Sequence, residues 1–106
     1  MPSGTLGQSA PSAVTNTTVY TVPSAKVATF NVNIVNRSLS TPCTVRLAIC
    51  ATSTPGNSEF IEYDAAIQPN EVLERSGLVA TAGKLVVVYA STADTSVNIY
   101  GYEESA

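Results

Sequence analysis

Three carboxylates lie close together in the middle of the sequence, at Glu59, Glu62 and Asp64. Paired carboxylates can hydrolyse glycosides, and carboxylate oxygens are also the ligands that Ca²⁺ prefers. Glu62 and Asp64 are two residues apart, so on a β-strand both side chains are predicted to point the same way. A solvated strand face produces the same pattern far more often than a site does. We therefore keep a hydrolase that uses these three residues only as a minor hypothesis.

The sequence contains no histidine, which excludes histidine-based acid–base catalysis, histidine-activated nucleophiles and histidine metal ligands. Its two cysteines, Cys43 and Cys50, fall on opposite faces of one predicted strand, about 23 Å apart at about 3.3 Å per residue. A disulfide requires Cα atoms within about 7 Å, so we predict two free, mostly buried thiols that share no zinc ion. We predict no catalytic residue, no metal site and no cofactor, and hence that the protein is not an enzyme.

Five tyrosines supply aromatic rings with polar tips, at Tyr20, Tyr63, Tyr89, Tyr100 and Tyr102. Tyr100 and Tyr102 share one face of the last predicted strand, where two rings could stack on a sugar. The alternative is that the tyrosines pack in the core or in an interface, with each hydroxyl reaching a hydrogen-bond partner. We favour packing, and keep glycan stacking by Tyr100 and Tyr102 as the second hypothesis.

Short β-strands must position these residues, because apolar and polar side chains alternate in segments bounded by turn residues. The clearest case is residues 26–36, in which Ala28, Phe30, Val32 and Ile34 share one face. Further strands are predicted at residues 13–22, 43–51, 59–63, 85–91 and 96–102. Residues 71–76 could form a strand or a single helical turn. About seven or eight strands with turns every 8 to 12 residues predict an all-β fold, an antiparallel, jelly-roll-like β-sandwich.

The chain is predicted to form a single domain at residues 13–103, with an extended N-terminal arm at residues 1–12 and a short tail at residues 104–106. The arm is rich in Gly, Ser and Pro, and it could lie along a neighbouring subunit or be disordered. It has no charged and apolar regions typical of a signal peptide, and the longest apolar run is too short to cross a bilayer. We therefore expect synthesis in a cytoplasm and no membrane partner.

The chain carries few charges, with only 12% Asp, Glu, Lys and Arg against 44% hydrophobic residues and a net charge of −3. The basic residues are scattered, so no patch is expected that neutralises phosphates and binds nucleic acid. Uncharged polar side chains, which are abundant here, tolerate burial against another protein better than charged ones. This composition favours surfaces that are covered in an assembly. The alternative is a secreted or surface β-domain with a Thr- and Ser-rich exterior.

Several stretches follow one another in an order that resembles small structural proteins of tailed bacteriophages, which carry GQ-x-x-P, LYTVP and a V-x-N-R turn in succession. The corresponding stretches are residues 6–11 (LGQSAP), 18–23 (TVYTVP) and 30–37 (FNVNIVNR). Later stretches that also look like that group are residues 61–64, 78–83 and 96–103. The resemblance covers most of the chain, and its motifs are turns and strand ends.

The resemblance implies a β-sandwich that assembles as a homotrimer in the virion, after synthesis in the bacterial host, and binds the major capsid protein or other virion proteins. It transfers no catalytic residue. The short chain favours a capsid decoration or cement protein that stabilises capsid subunit contacts. The alternative is a tail, fibre or baseplate module that adheres to host glycans. Interface contacts are expected in the arm and in the turn around residues 36–38, at Leu6, Gln8, Pro11, Asn36 and Arg37.

Overall fold

Two four-stranded β-sheets form the fold in a computed structural model, which describes residues 3–106. The eight strands are β1 (Ser3–Ser9), β2 (Thr17–Thr21), β3 (Lys26–Asn36), β4 (Cys43–Cys50), β5 (Phe60–Ile67), β6 (Val72–Thr81), β7 (Leu85–Ala90) and β8 (Thr95–Ser105). All paired strands are antiparallel, and the described residues contain no helix. The predicted all-β sandwich is confirmed.

The strand order is β1-β8-β3-β6 in sheet A and β2-β7-β4-β5 in sheet B. This order is that of an eight-stranded jelly roll, so the prediction of a jelly-roll-like sandwich is also confirmed. The chain changes sheet at most of its connections. Strands that are distant in sequence therefore lie side by side, and each sheet keeps one face toward the core and one outer face.

The core lies between the two sheets and is built from the alternate apolar residues of their strands. In β3 the residues Ala28, Phe30, Val32 and Ile34 are all buried, as the alternation predicts. Sheet B contributes further large side chains, including Leu47 at 0% exposure. Burying each such side chain stabilises the fold by about 1.5 to 3 kcal/mol before the entropy of folding is counted.

The described part of the predicted arm is not separate from the domain, because β1 pairs with β8 along the edge of sheet A. Its register shifts between Thr5 and Gly7, and Leu6 packs against the core. An edge strand is held largely by its backbone hydrogen bonds, so β1 lacks the apolar alternation that would have indicated a strand. Residues 1–2 of the predicted arm lie outside the described residues.

The structure also assigns two segments that the sequence analysis left ambiguous or placed outside the domain. Of the ambiguous residues 71–76, all but the first belong to β6, an edge strand of sheet A that begins at Val72 and continues to Thr81. The predicted tail is largely part of β8, and the N–H of Ala106 donates to the carbonyl of Ala25 at 2.9 Å. The domain therefore includes both chain ends as far as the structure describes them.

Two glycines allow neighbouring strands to approach closely. A Cβ on Gly101 would lie 2.1 Å from the carbonyl oxygen of Thr29 and 2.6 Å from Cα of Phe30, both in β3. A Cβ on Gly7 would lie 2.5 Å from the carbonyl oxygen of Val19 in β2. All of these are backbone atoms, and those of Thr29 and Phe30 are held by pairing on both sides of β3, so they cannot move aside as a flexible side chain could. Both positions therefore require glycine.

The two cysteines are free and buried, as predicted, and they lie on opposite faces of β4. Cys43 is part of the core between the sheets, whereas Cys50 lies in a small apolar cluster on the outer face of sheet B. Burial raises the pKa of the Cys50 thiol. At Cys43 burial acts to raise the pKa of the thiol, but hydrogen bonds with Ser91 and Thr92 have the larger combined effect. The pKa of Cys43 is therefore lowered overall. With 1% exposure or less, both thiols pack as small apolar residues, Cys43 between the sheets and Cys50 in the outer cluster of sheet B.

A tyrosine and a glutamate form a buried polar pair at one end of the core. The hydroxyl of Tyr20 in β2 donates a hydrogen bond to Oε2 of Glu103 in β8. Glu103 is the only buried acidic or basic side chain among residues 3–106. Burial, the hydrogen bond and the nearby carboxylate together raise the pKa of the Tyr20 hydroxyl. The pair therefore stabilises the fold only while the tyrosine keeps its proton.

We expect this pair to make stability fall at alkaline pH. The unfolded tyrosine loses its proton near pH 10, whereas the folded one holds it to higher pH, so the stabilisation is complete below pH 10 and is lost as pH rises above it. The free energy of unfolding should then fall by up to about 1.4 kcal/mol per pH unit from this group. Urea unfolding between pH 8 and 11 would measure the slope.

Tyr20→Phe is the variant that isolates this slope, because it keeps the ring and removes the proton. At pH 8 it should be destabilised by about 1 to 3 kcal/mol, since Glu103 loses its partner. Between pH 10 and 11 its stability should fall less steeply than that of the wild type. Equal slopes for the two proteins would show that the pair has no part in the alkaline loss.

Candidate functional site

The three clustered carboxylates do not form a common site. Glu59 accepts hydrogen bonds from the N–H groups of Gly56 (2.8 Å) and Ala51 (3.1 Å), which lower its pKa and hold the loop before β5. Glu62 pairs instead with Arg75 of β6 at 3.2 Å. Within residues 3–106 no group of three or more Asp, Glu, Cys or His side chains could hold a metal ion.

The prediction that Glu62 and Asp64 point the same way is wrong, and the cause is a β-bulge in β5. In the β4–β5 ladder Glu62 pairs with Leu47 and Ala65 pairs with Val45. The two residues between them on β5 thus lie opposite the single residue between Leu47 and Val45 on β4. Asp64 takes up the extra length with a φ of 52°, a left-handed conformation that aspartate tolerates better than most residues.

Of the five predicted interface residues, two are buried and one is half-buried. Pro11 and Asn36 are buried, and Leu6 is half-buried against the core, so they offer other subunits little or no surface. Gln8 and Arg37 are exposed. The sequence predicted Asn36 as an interface residue, but its buried position in the fold gives it a structural role.

The side chain of Asn36 ties three separate segments together. Its Nδ2 donates to the carbonyl oxygens of Thr41 (2.9 Å) and Ile67 (3.0 Å), and its Oδ1 accepts from the N–H of Ser38 at 3.1 Å. Its backbone also bonds to the β5–β6 connection, at Asn70 and Glu71. A fully buried amide with satisfied donors and acceptor stabilises this end of the sandwich.

Arg37 has a similar structural function on the surface. Its N–H donates to the carbonyl of Asp94 at 2.7 Å, and its Nη2 lies 3.2 Å from the carbonyl oxygen of Ala93 and 3.4 Å from that of Thr95. The guanidinium therefore holds the turn between β7 and β8. The side chain of Gln8 forms a hydrogen bond in which Nε2 donates to Oδ1 of Asn98 at 2.7 Å.

A group of side chains that the sequence did not predict as a site lies on the outer face of sheet B. The guanidinium of Arg46 is placed between two rings, 4.3 Å from the centroid of Tyr63 and 4.6 Å from that of Tyr89. Its Nε donates to Oδ1 of Asp64 at 2.7 Å, with Nη2 at 3.4 Å from Oδ2. The ring of Phe60 meets Tyr63 edge to face at 4.9 Å. We call these five residues the Arg46 patch.

The strand pairing explains how the Arg46 patch forms. Tyr89 lies directly opposite Arg46 in the β4–β7 ladder, and the bulge in β5 places both Tyr63 and Asp64 opposite Arg46 on its other side. Three strands thus converge on one arginine. The outward direction of Arg46 can be predicted from its alternation, but its neighbours depend on a strand order that the sequence does not reveal.

The outer face of sheet A carries amides, hydroxyls and two tyrosines around β8, and the exposed valines Val72 and Val79 on the edge strand β6. Tyr100 and Tyr102 share one face of β8, as predicted, and that face is the outer one, where Tyr102 is 39% exposed. The hydroxyl of Tyr100 lies 3.4 Å from Oε2 of Glu74, and the amide of Asn33, when oriented to donate, reaches the same oxygen at 2.9 Å. We call this surface the amide–tyrosine face, formed by Gln8, Asn31, Asn33, Glu74, Asn98, Tyr100 and Tyr102.

Comparison with protein-family models, curated proteins and solved structures finds no match to this chain. Among the described residues there is no helix long and apolar enough to cross a membrane. The function is therefore inferred from the two outer faces of the sandwich and from the composition of the chain.

Proposed function

We propose that this chain is a bacteriophage virion structural protein of the capsid decoration or cement kind, which binds other protein subunits through the Arg46 patch. The observation that carries the proposal is the placement of Arg46 between Tyr63 and Tyr89 on the outer face of sheet B. The function is mechanical: the subunit adds contact area between its neighbours and performs no chemistry. Its partners are copies of itself, in a homotrimer, and the major capsid protein or another virion protein.

The residue types of the patch are those on which protein interfaces depend. Tyrosine and arginine are enriched among the residues whose truncation weakens protein–protein binding most, whereas lysine and glutamate are depleted there. Tyr63 is 59% exposed, so its ring is available to a partner. Arg46 is already paired with Asp64, so a partner would cover a neutral pair and would leave no unpaired charge in the interface.

The patch is also ordered before a partner arrives. Arg46 is fixed by two rings and by a carboxylate, and Tyr63 is fixed by Phe60 as well. A side chain that is immobilised in advance loses less entropy on binding, which would otherwise cost about 0.5 to 1.5 kcal/mol for each residue. The arrangement therefore suits a permanent contact in an assembly.

The fold and the composition support the same proposal. Jelly rolls recur in viral capsid proteins and also in lectins, and the fold is therefore compatible with this function. The small share of charged residues, 12%, leaves sheet faces that can be covered without burying many ions. A stable interface takes about 800 Å² from each partner, a modest fraction of the 5294 Å² surface of this chain.

Tyr63→Ala tests the proposal most simply. It should weaken both self-association and binding to virions that lack the subunit by about thirtyfold, the effect expected for a central interface tyrosine. Sedimentation velocity of the purified chain and co-sedimentation with such virions would measure the two effects. Because Tyr63 is exposed, the melting temperature of the variant should stay close to that of the wild type. Loss of binding can then be distinguished from loss of folding.

Tyr102→Ala is the matched control, since it removes an exposed tyrosine from the opposite sheet. It should assemble and co-sediment like the wild type. A wild-type protein that stays monomeric and never co-sediments with virions would contradict the proposal, and so would equal losses in the two variants. The alternative function, a tail, fibre or baseplate module that adheres to host glycans, requires a sugar-binding surface, for which sheet A is the candidate.

A further inference from the structure

Side chains that suit an uncharged sugar chain lie in a row along the outer face of sheet A. Strand β8 presents Ser96, Asn98, Tyr100 and Tyr102 outward in succession, over a length of about 20 Å at about 3.3 Å per residue. We propose that the amide–tyrosine face is a binding site for a neutral polysaccharide that lies along β8. This site is separate from the Arg46 patch, which belongs to the other sheet.

The two tyrosines would supply the stacking surface. They are two residues apart on one strand, which separates their side chains by about 7 Å, and both rings are partly accessible. A tyrosine ring offers an apolar face to the C–H groups of a pyranose, while its hydroxyl can still form hydrogen bonds. One end of the row is thus aromatic and the other end, at Ser96 and Asn98, is polar.

Amides flank this row on both sides. Gln8 lies opposite Asn98 in the β1–β8 ladder, and Asn31 and Asn33 lie opposite Tyr100 and Asn98 in the β3–β8 ladder. Each amide is both a donor and an acceptor, which matches sugar hydroxyls that are also both. Glu74 adds a carboxylate acceptor beside Tyr100, with lone pairs left for a ligand hydroxyl.

The charge of the face selects a neutral ligand. Its one charged side chain is Glu74, and the outer surface of sheet A adds Glu104 at the end of β8. Arg75 of β6 lies opposite the core residue Val32 and pairs with Glu62 of sheet B, so it does not belong to this face. A phosphate, a sulfate or a uronic acid would meet repulsion without a compensating cation. A neutral polysaccharide carries no charge and would not be repelled by these carboxylates.

A shallow groove gives the polar end of the row some depth. It is lined by Gln8, Ser9, Ala10, Ser96, Val97 and Asn98, where β1 leaves the sheet. The hydrogen bond from Gln8 to Asn98, 2.7 Å long, joins the two strands that line it. The row therefore begins in a concave polar region and ends at two partly exposed rings, an arrangement that an extended sugar chain could occupy.

Titration calorimetry with the full chain tests this inference. The probes are maltohexaose, cellohexaose, mannohexaose and chitohexaose, with hexagalacturonic acid as the anionic comparison. We expect at least one neutral hexasaccharide to bind and hexagalacturonic acid not to bind. Tyr102→Ala should weaken binding of that sugar by about tenfold. Tyr63→Ala, on the other sheet, should leave it unchanged.

Tyr100→Phe refines the test, because it keeps the ring and removes the hydroxyl that contacts Glu74. We expect an intermediate loss of affinity, with a melting temperature close to that of the wild type. The inference is overturned if no neutral hexasaccharide binds, if hexagalacturonic acid binds as tightly, or if Tyr102→Ala binds like the wild type. Failure here leaves the assembly function standing, since that function is tested by Tyr63→Ala and does not involve this face.

Discussion

Gly101→Ala should lower the free energy of unfolding by about 3 kcal/mol or more, a large part of the stability of a domain of this size. The added Cβ would lie 2.1 Å from the carbonyl oxygen of Thr29 and 2.6 Å from Cα of Phe30. Both atoms belong to β3, the central strand that pairs with β8 over eleven positions from Lys26 to Asn36. Relieving the clash would require β8 to move away from β3. Guanidinium unfolding, followed by circular dichroism, would measure the loss.

Gly56→Ala is the matched control for this prediction. A Cβ at Gly56 would meet only the flexible end of Glu59, at 3.5 Å, which is an ordinary contact. Its stability should therefore stay within about 0.5 kcal/mol of the wild type. If the two alanine variants unfold at the same denaturant concentration, the close approach of β8 to β3 is not present in the protein.

The second large effect is expected for Asn36→Ala, which should lower the free energy of unfolding by about 3 kcal/mol. Its side chain is fully buried and makes three hydrogen bonds, to Thr41, Ile67 and Ser38. Removing it leaves these backbone groups without a partner and opens a small cavity, and both effects destabilise the fold. Thermal unfolding of the variant beside Asn16→Ala, an exposed asparagine in the loop before β2, would measure the difference.

Asn36→Asp separates the hydrogen bonds from the cavity, because aspartate has nearly the same volume. At pH 7 it would direct a carboxylate oxygen at the carbonyls of Thr41 and Ile67, where the amide now donates. We therefore expect a loss at least as large as that of the alanine variant. If Asn36→Asp is as stable as the wild type, the hydrogen bonds of Asn36 do not hold this end of the sandwich.

Local patterns in the sequence predict most of the strands, because burial between two sheets imposes alternation. Residues 26–36 are the clearest example, and β3 spans the same residues. Strand β1 was not predicted, because its pairing depends on backbone groups and does not require particular residue types. Strand geometry alone predicted that Cys43 and Cys50 lie on opposite faces of one strand, and the structure confirms this.

The Arg46 patch could not be predicted, since it depends on two features that no local pattern records. One is the strand order, which places β4 between β5 and β7. The other is the bulge in β5, which separates Glu62 from Asp64 and brings Tyr63 and Asp64 to Arg46. Tyr100 and Tyr102, in contrast, share a strand face by simple alternation, so their common direction could be predicted without the fold.

A cryo-electron microscopy map of the virion that carries this chain would test the central proposal most directly. We expect the Arg46 patch to be covered by another protein subunit, with the ring of Tyr63, 59% exposed in the isolated chain, buried in the contact. A map in which Tyr63 faces solvent in every copy of the chain, or in which sheet B contacts no other protein, would contradict the proposal.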